Sequence, residues 1–126
     1  EMSYNILIVD DSKTVRMMID KTLRLTDIPL NQVHHAQNGC EAIELLAEEW
    51  IDLVLTDINM PEMDGVELIR RMRKSCLLER TPVVIVSTEG SQTRIDQLKQ
   101  QGVQGYIRKP FTPEALKEVV ENVFAN

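Results

Sequence analysis

Two rhythms alternate along this chain. "ILIV" (6–9) is continuously apolar and rich in β-branched residues, as a strand covered on both faces should be. "SKTVRMMIDKTLRL" (12–25) shifts to helical spacing, with Val15, Met18, Ile19 and Leu23 recurring on one side and Ser12 placed to cap it. "QVHHA" (32–36) reads as a weaker strand. "GCEAIELLAEEW" (39–50) reads as a helix with Ala42, Leu45 and Leu46 on one side. "DLVLTD" and "GVELIRRMRK" (65–74) give a third strand and helix, and "TPVVIVS" (81–87) is the most emphatic strand. "QTRIDQLKQQG" (92–102) is a helix that Gly102 stops, followed by a short strand "QGYIRK" (104–109). "TPEALKEVVENVFA" (112–125) is a last helix, with Thr112 as N-cap and Pro113 in the first helical position. Five consecutive β-then-α units imply an α/β fold, a doubly wound five-stranded parallel sheet with five helices on its two faces.

In such open sheets, sites form beyond the carboxyl ends of the strands. Asp10 and Asp11 follow the first strand, Asp57 and then Asn59 the third, Ser87 and Thr88 the fourth, and Lys109 the fifth. Each has an ordinary structural role: a paired Asp compensates a helix dipole, a strand-end Asp forms turns, a Ser caps the next helix, a Lys meets water. Their convergence on one edge of the sheet, with no equivalent cluster at the other, favours a site.

Electrostatics then constrain what the site holds. Two carboxylates about 4 Å apart repel by ~4 kcal/mol at an effective dielectric near 20, so three stay ionised together only beside a cation. All-oxygen ligands with no nearby His or Cys fit Mg2+. A hard divalent ion beside an ammonium and a hydroxyl is a receiving site for phosphate, and Asp57 is the nucleophile that can form an acyl phosphate.

The bulk numbers narrow the partners. The 126 residues suit one domain, placed at 3–126, with 43% hydrophobic and 27% charged residues. A net charge of −6 argues against nucleic acid and against an anionic membrane surface. No apolar stretch approaches the ~20 residues that span a bilayer, and no secretory signal pattern opens the sequence, so a cytoplasmic location is expected. Cys40 and Cys76, far apart in segments that read as helical, are expected to be reduced structural thiols.

The four motifs "ILIVDDS", "LVLTDINMPEMDG", "PVVIVSTEG" and "GYIRKPF" together resemble the receiver domain of bacterial two-component response regulators, and most of all the stand-alone chemotaxis (CheY-like) regulators. The resemblance covers essentially the whole chain. It implies a flavodoxin-like sheet of order 2-1-3-4-5 and phosphorylation of Asp57 by a histidine kinase or a small acyl-phosphate donor. Asp11 and Asp57 would bind Mg2+ directly, Asp10 through water, and Asn59 through its backbone carbonyl. Lys109, joined to Pro110 by a cis bond, would pair with the phosphoryl group, and Ser87 would hydrogen-bond it. Tyr106 would then turn inward behind Ser87 and remodel the face made by helix 4, strand 5 and helix 5, changing affinity for a protein partner, with the flagellar motor switch as the guess. The implied protein is a regulator with only self-catalysed phosphotransfer and autodephosphorylation.

Thr88 departs from the small residue usual in the family and would crowd donor access, while Asn59 and Glu89 occupy positions that tune phosphate lifetime. Trp50 precedes the third strand instead of adjoining Asp57. A receiver fragment of a longer regulator, or a stand-alone regulator of another pathway, stays open. An aspartyl-phosphate hydrolase of the haloacid dehalogenase type would need a general acid where Asn59 stands. His34 and His35 point to opposite faces of a strand and cannot easily share a metal. "RRMRK" (70–74) is expected to be a solvated face offsetting its helix dipole. The six methionines read mostly as core and loop filler, with Met17 and Met18 as candidates for a docking surface.

Overall fold

The computed structural model describes residues 2–88 and 90–125. Strands and helices alternate without exception: β1 (Tyr4–Val9), α1 (Lys13–Arg24), β2 (Leu30–Ala36), α2 (Gly39–Glu48), β3 (Leu53–Thr56), α3 (Gly65–Lys74), β4 (Val83–Ser87), α4 (Gln92–Gln100), β5 (Gly105–Arg108) and α5 (Pro113–Ala125). The five strands are parallel in the order β2-β1-β3-β4-β5.

Period-two alternation along the strands sorts the core into two layers. Leu7, Val9, Val54, Val83 and Ile85 face Ala42 and Leu46 of α2, Leu68, Ile69 and Met72 of α3, and Leu98 of α4. Ile6, Ile8, Leu53, Leu55, Val84 and Val86 face Ile19 and Leu23 of α1 and Leu116, Val120 and Val123 of α5. With both faces covered, β3 and β4 are buried throughout, which is why their sequences read as unbroken apolar runs. The edge strand β2 is only partly buried and runs longer than its weak pattern suggested.

Each helix begins at a side chain that accepts an otherwise orphaned backbone N–H: Ser12 from Val15, Asn38 from Glu41, Asp64 from Glu67, Ser91 from Arg94 and Thr112 from Ala115. Gly102 ends α4 with φ +88, a conformation that disfavours any side chain. None of the described helices is long and apolar enough to cross a membrane.

Three expectations are corrected. Cys76 lies in the turn after α3 and not in a helix, and both cysteines are exposed, because neither falls on an inward-facing position. Met18, read on the same side of α1 as Ile19 and Leu23, is exposed beside Met17, whereas Met63 and Met72 are core. Arg73 does not belong to a solvated face. Its guanidinium folds back to donate to the carbonyls of Gln101, Gly102, Leu78, Glu79 and Thr81, tying the end of α3 to two later turns. The histidines do diverge: His35 meets Asp20 at 2.8 Å, and His34 meets Gln32.

Candidate functional site

β1, β3, β4 and β5 each end beside the loop that carries a candidate residue, and ladder hydrogen bonds set their heights. Asp57 N–H donates to Val9 O at 2.9 Å, Asp10 N–H to Ala36 O at 3.1 Å, and Lys109 N–H to Ser87 O at 2.9 Å. Asp10, Asp11 and Asp57 each offer a carboxylate oxygen, all within 4.8 Å of one another. Lys109 reaches across from β5, with Nζ 2.7 Å from Asp10 Oδ2 and 3.2 Å from Asp57 Oδ2. The Lys109–Pro110 peptide is cis.

The carboxylates differ in exposure. Asp10 is buried, its second oxygen accepting from Ser12 N–H at 2.9 Å. Burial pushes its carboxyl above the ordinary 3.8, and the charge of Asp57 adds to that rise, against the lowering effect of Lys109 and Ser12. Asp11 is exposed, and Asp57 is intermediate, with Oδ1 accepting from Ile58 N–H at 2.7 Å. Burial alone would depress the Lys109 ammonium, but the hydrogen bond it donates to Asp10 and the negative charge of both acids raise it above 10.5. It is therefore a fixed cation at neutral pH.

Three carboxylates against one ammonium leave two negative charges, the amount one divalent cation neutralises. Oxygen-only donors at this spacing, one of them open to solvent, fit Mg2+, which keeps several waters and few protein ligands.

The loop after β3 is held tightly beneath the acids. Gly65 N–H donates to Ile58 O at 2.7 Å, and a Cβ on Gly65 would lie 2.2 Å from Asp57 O, so only glycine permits this closure. Met63 N–H donates back to Pro61 O at 2.7 Å, which places Glu62 at φ +66, a strained turn geometry for a side-chain-bearing residue. Gly39 N–H then takes Met63 O at 2.9 Å, fastening the loop to α2.

Of the other predicted residues, Ser87 is fully buried at the end of β4, and Thr88 and Asn59 are exposed on their loops. Glu89 lies outside the described residues. Tyr106 is half-buried, packed against the core layer that holds Leu98 and Val103. Sequence reasoning missed Thr56, whose buried hydroxyl donates to Asp57 O at 2.9 Å, and Arg16, whose guanidinium donates to Asp10 O at 2.7 Å. Thr56 was legible as a polar residue inside an apolar strand, but Arg16 has no local signal.

The sequence matches the response regulator receiver domain model over residues 6–121. It is 42% identical over 119 residues to a chemotaxis protein CheY homolog of Campylobacter jejuni, covering 94% of this chain and 90% of that one. Chemotaxis protein CheY of Pseudomonas aeruginosa is 40% identical, with 94% of each chain covered. Among solved structures, chemotaxis response regulator CheY4 of Vibrio cholerae superposes with a TM-score of 0.85 at 31% identity, covering 97% of this chain and 99% of that one.

Proposed function

The chain belongs to the response regulator receiver domain family, and from that premise we propose that Asp57 is its phosphoacceptor within a single receiver domain of residues 3–126. The family takes its phosphoryl group from a histidine kinase, signals to a protein partner, and consists of regulators instead of classical enzymes. The observation that carries the assignment is Lys109 Nζ shared unequally between Asp10 and Asp57.

A carboxylate oxygen of Asp57 attacks the donor's phosphorus. The new O–P bond forms as the donor's P–N bond breaks, and the leaving imidazole nitrogen keeps the electron pair. The Ile58 N–H orients the acceptor, and Asp10 anchors Lys109 through its shorter bond. The longer contact, from Lys109 to Asp57, is the one readily exchanged for an arriving phosphoryl oxygen. Bound Mg2+, held by Asp10, Asp11, Asp57 and the Asn59 carbonyl, would neutralise charge on the transferring group. Ser87 would turn its hydroxyl to that group, and Asn59, Thr88 and Glu89 would set access for the hydrolytic water and so the lifetime of the phosphorylated state.

The readout follows from β5. Ser87 and Arg108 are register partners, two residues along the ladder from the Ile85–Tyr106 pair, so motion at Ser87 is passed to the strand that carries the ring. A shallow cleft of about 340 Å³, lined by Tyr106, Arg108, Pro110, Phe111, Ala115 and Val119, supports the β5–α5 side of the α4–β5–α5 face as part of the output surface. The partner that fits the chemotaxis relatives is the flagellar motor switch, and the setting is cytoplasmic.

Intact-mass measurement with acetyl phosphate tests the acceptor. One phosphoryl adduct is expected with Mg2+ and none without, and an adduct that persists in Asp57→Asn overturns the assignment. Ser87→Ala should keep the adduct yet shrink the chemical-shift change around Tyr106. An undiminished change there overturns the coupling.

A further inference from the structure

The amino edge of the sheet, opposite the acids, carries a second feature. Trp50, the sole tryptophan, is 77% exposed, and Leu77 is 91% exposed. They flank a cleft of about 490 Å³ between the end of α2 and the turn before β4, with Leu46, Ile51, Leu78 and Pro82 in its lining. The indole is not loose: its N–H donates to Asp52 Oδ1 at 2.9 Å, and Asp52 Oδ2 accepts from Asn5 N–H at 2.8 Å. The polar edge of the ring is thus satisfied while its apolar surface stays open. Single exposed apolar residues are ordinary, but an aromatic and an aliphatic side chain flanking one cleft form a patch of the kind that anchors a partner.

The charge around it names the partner's chemistry. Glu48 and Glu49, both exposed, line the cleft at the end of α2. A helix end exposes carbonyl oxygens and favours cations, and α1 and α3 of this chain obey, with Lys21 and Arg24 in one last turn and Arg71, Arg73 and Lys74 in the other. The last turn of α2 has no basic residue and instead leads into two carboxylates. Arg80 supplies the single positive charge among the described residues lining the cleft.

We propose that this cleft docks a cationic segment of a partner protein, one bulky apolar side chain seated between Trp50 and Leu77 and flanking Lys or Arg residues facing Glu48 and Glu49. A second copy of the chain would bring the same two glutamates face to face, and an anionic lipid surface would be repelled. The cleft lies at the far end of the strands from Asp57, so docking is constitutive: it tethers the chain to its partner whether or not the acids carry a phosphoryl group.

Trp50 is its own reporter. The probe is a synthetic amphipathic peptide with Leu and Lys and no Trp, compared with a counterpart carrying Glu for Lys. The Lys peptide is expected to shift Trp50 emission to the blue and shield it from acrylamide. The charge reversal Glu48→Lys/Glu49→Lys should weaken binding by about tenfold, whereas the net-charge-matched Glu114→Lys/Glu118→Lys on α5 should change it less than about threefold. Leu77→Ser should weaken binding without lowering the melting temperature. Phosphorylation with acetyl phosphate should leave affinity within about twofold. The proposal is overturned by an unmoved Trp50 spectrum, by equal responses to the two reversals, by equal binding of the Glu peptide, or by phosphorylation-dependent affinity. Sedimentation showing that the cleft closes on a second copy, or binding to phosphatidylserine vesicles, also overturns it.

Discussion

Asp52 and Asp57 bracket the same four-residue strand, and their surroundings could hardly differ more. At the amino edge, Asp52 accepts from a backbone N–H and an indole N–H, both uncharged. At the carboxyl edge, Asp57 shares a lysine with Asp10 and sits within 4.8 Å of two other acids. The cations repeat the contrast. Arg73 is spread over five backbone carbonyls near the amino edge, and Lys109 is committed to carboxylates at the other. Charge satisfied by neutral dipoles holds a fold together, while charge crowded against like charge holds a reaction ready. The largest expected effect breaks the pair apart: Asp57→Asn eliminates acetyl-phosphate labelling, whereas Asp52→Asn labels at the parental rate within about twofold. Mass spectrometry on both variants reads this directly, and equal losses would abolish the distinction.

The cations give the next two effects. Arg73→Met strands several carbonyls that the guanidinium now serves, and we expect a loss of about 3 kcal/mol in urea unfolding with phosphoryl labelling retained. A loss below about 1 kcal/mol would show that those carbonyls are content with water. At the other edge, Mg2+ should raise stability by about 2.7 kcal/mol at a hundredfold excess over its dissociation constant. That increment should vanish in Asp11→Asn if the exposed acid is the ligand proposed above and not a fold element. Persistence of the Mg2+ increment in that variant would place the ion elsewhere.

The same contrast explains what could be read in advance. β1 and β4 announced themselves because both sheet faces are covered, and β2 was faint because an edge strand is half-solvated and mixed in pattern. Asp10, Asp57 and Lys109 were legible because each immediately follows its strand, and Ser87 because it closes one, and topology alone brings strand ends together. Arg73 was not. A basic run at a helix end looks the same whether the guanidinium meets water or the carbonyls of Gln101 and Gly102, and those turns are specified nearly thirty residues later. Gly65 was equally silent, because its need to be glycine arises from the Asp57 carbonyl 2.2 Å from where a Cβ would stand. Trp50 and Leu77 carried no signal either, since exposure of an apolar side chain depends on what the fold leaves uncovered.

Asp20 supplies the smallest effect, and it sharpens the comparison by sign. Burial alone would raise its carboxyl, as it does for Asp10, but hydrogen bonds from His35 and Arg24 outweigh burial and hold Asp20 below the ordinary 3.8. A carboxyl lowered in the folded state contributes stability at every pH above 3.8, and that contribution drains away as pH falls below 3.8 through the folded value. Asp10, raised, has the opposite slope: the folded protein gains relative to the unfolded chain as acid protonates it. Asp20→Asn should therefore flatten the acid limb of the stability curve below 3.8 while leaving labelling at Asp57 intact, and urea titrations at a series of pH values measure that slope. An acid limb as steep in the variant as in the parent would mean that Asp20 pairs no better folded than unfolded. The two aspartates would then differ in burial alone, without the added difference in partners.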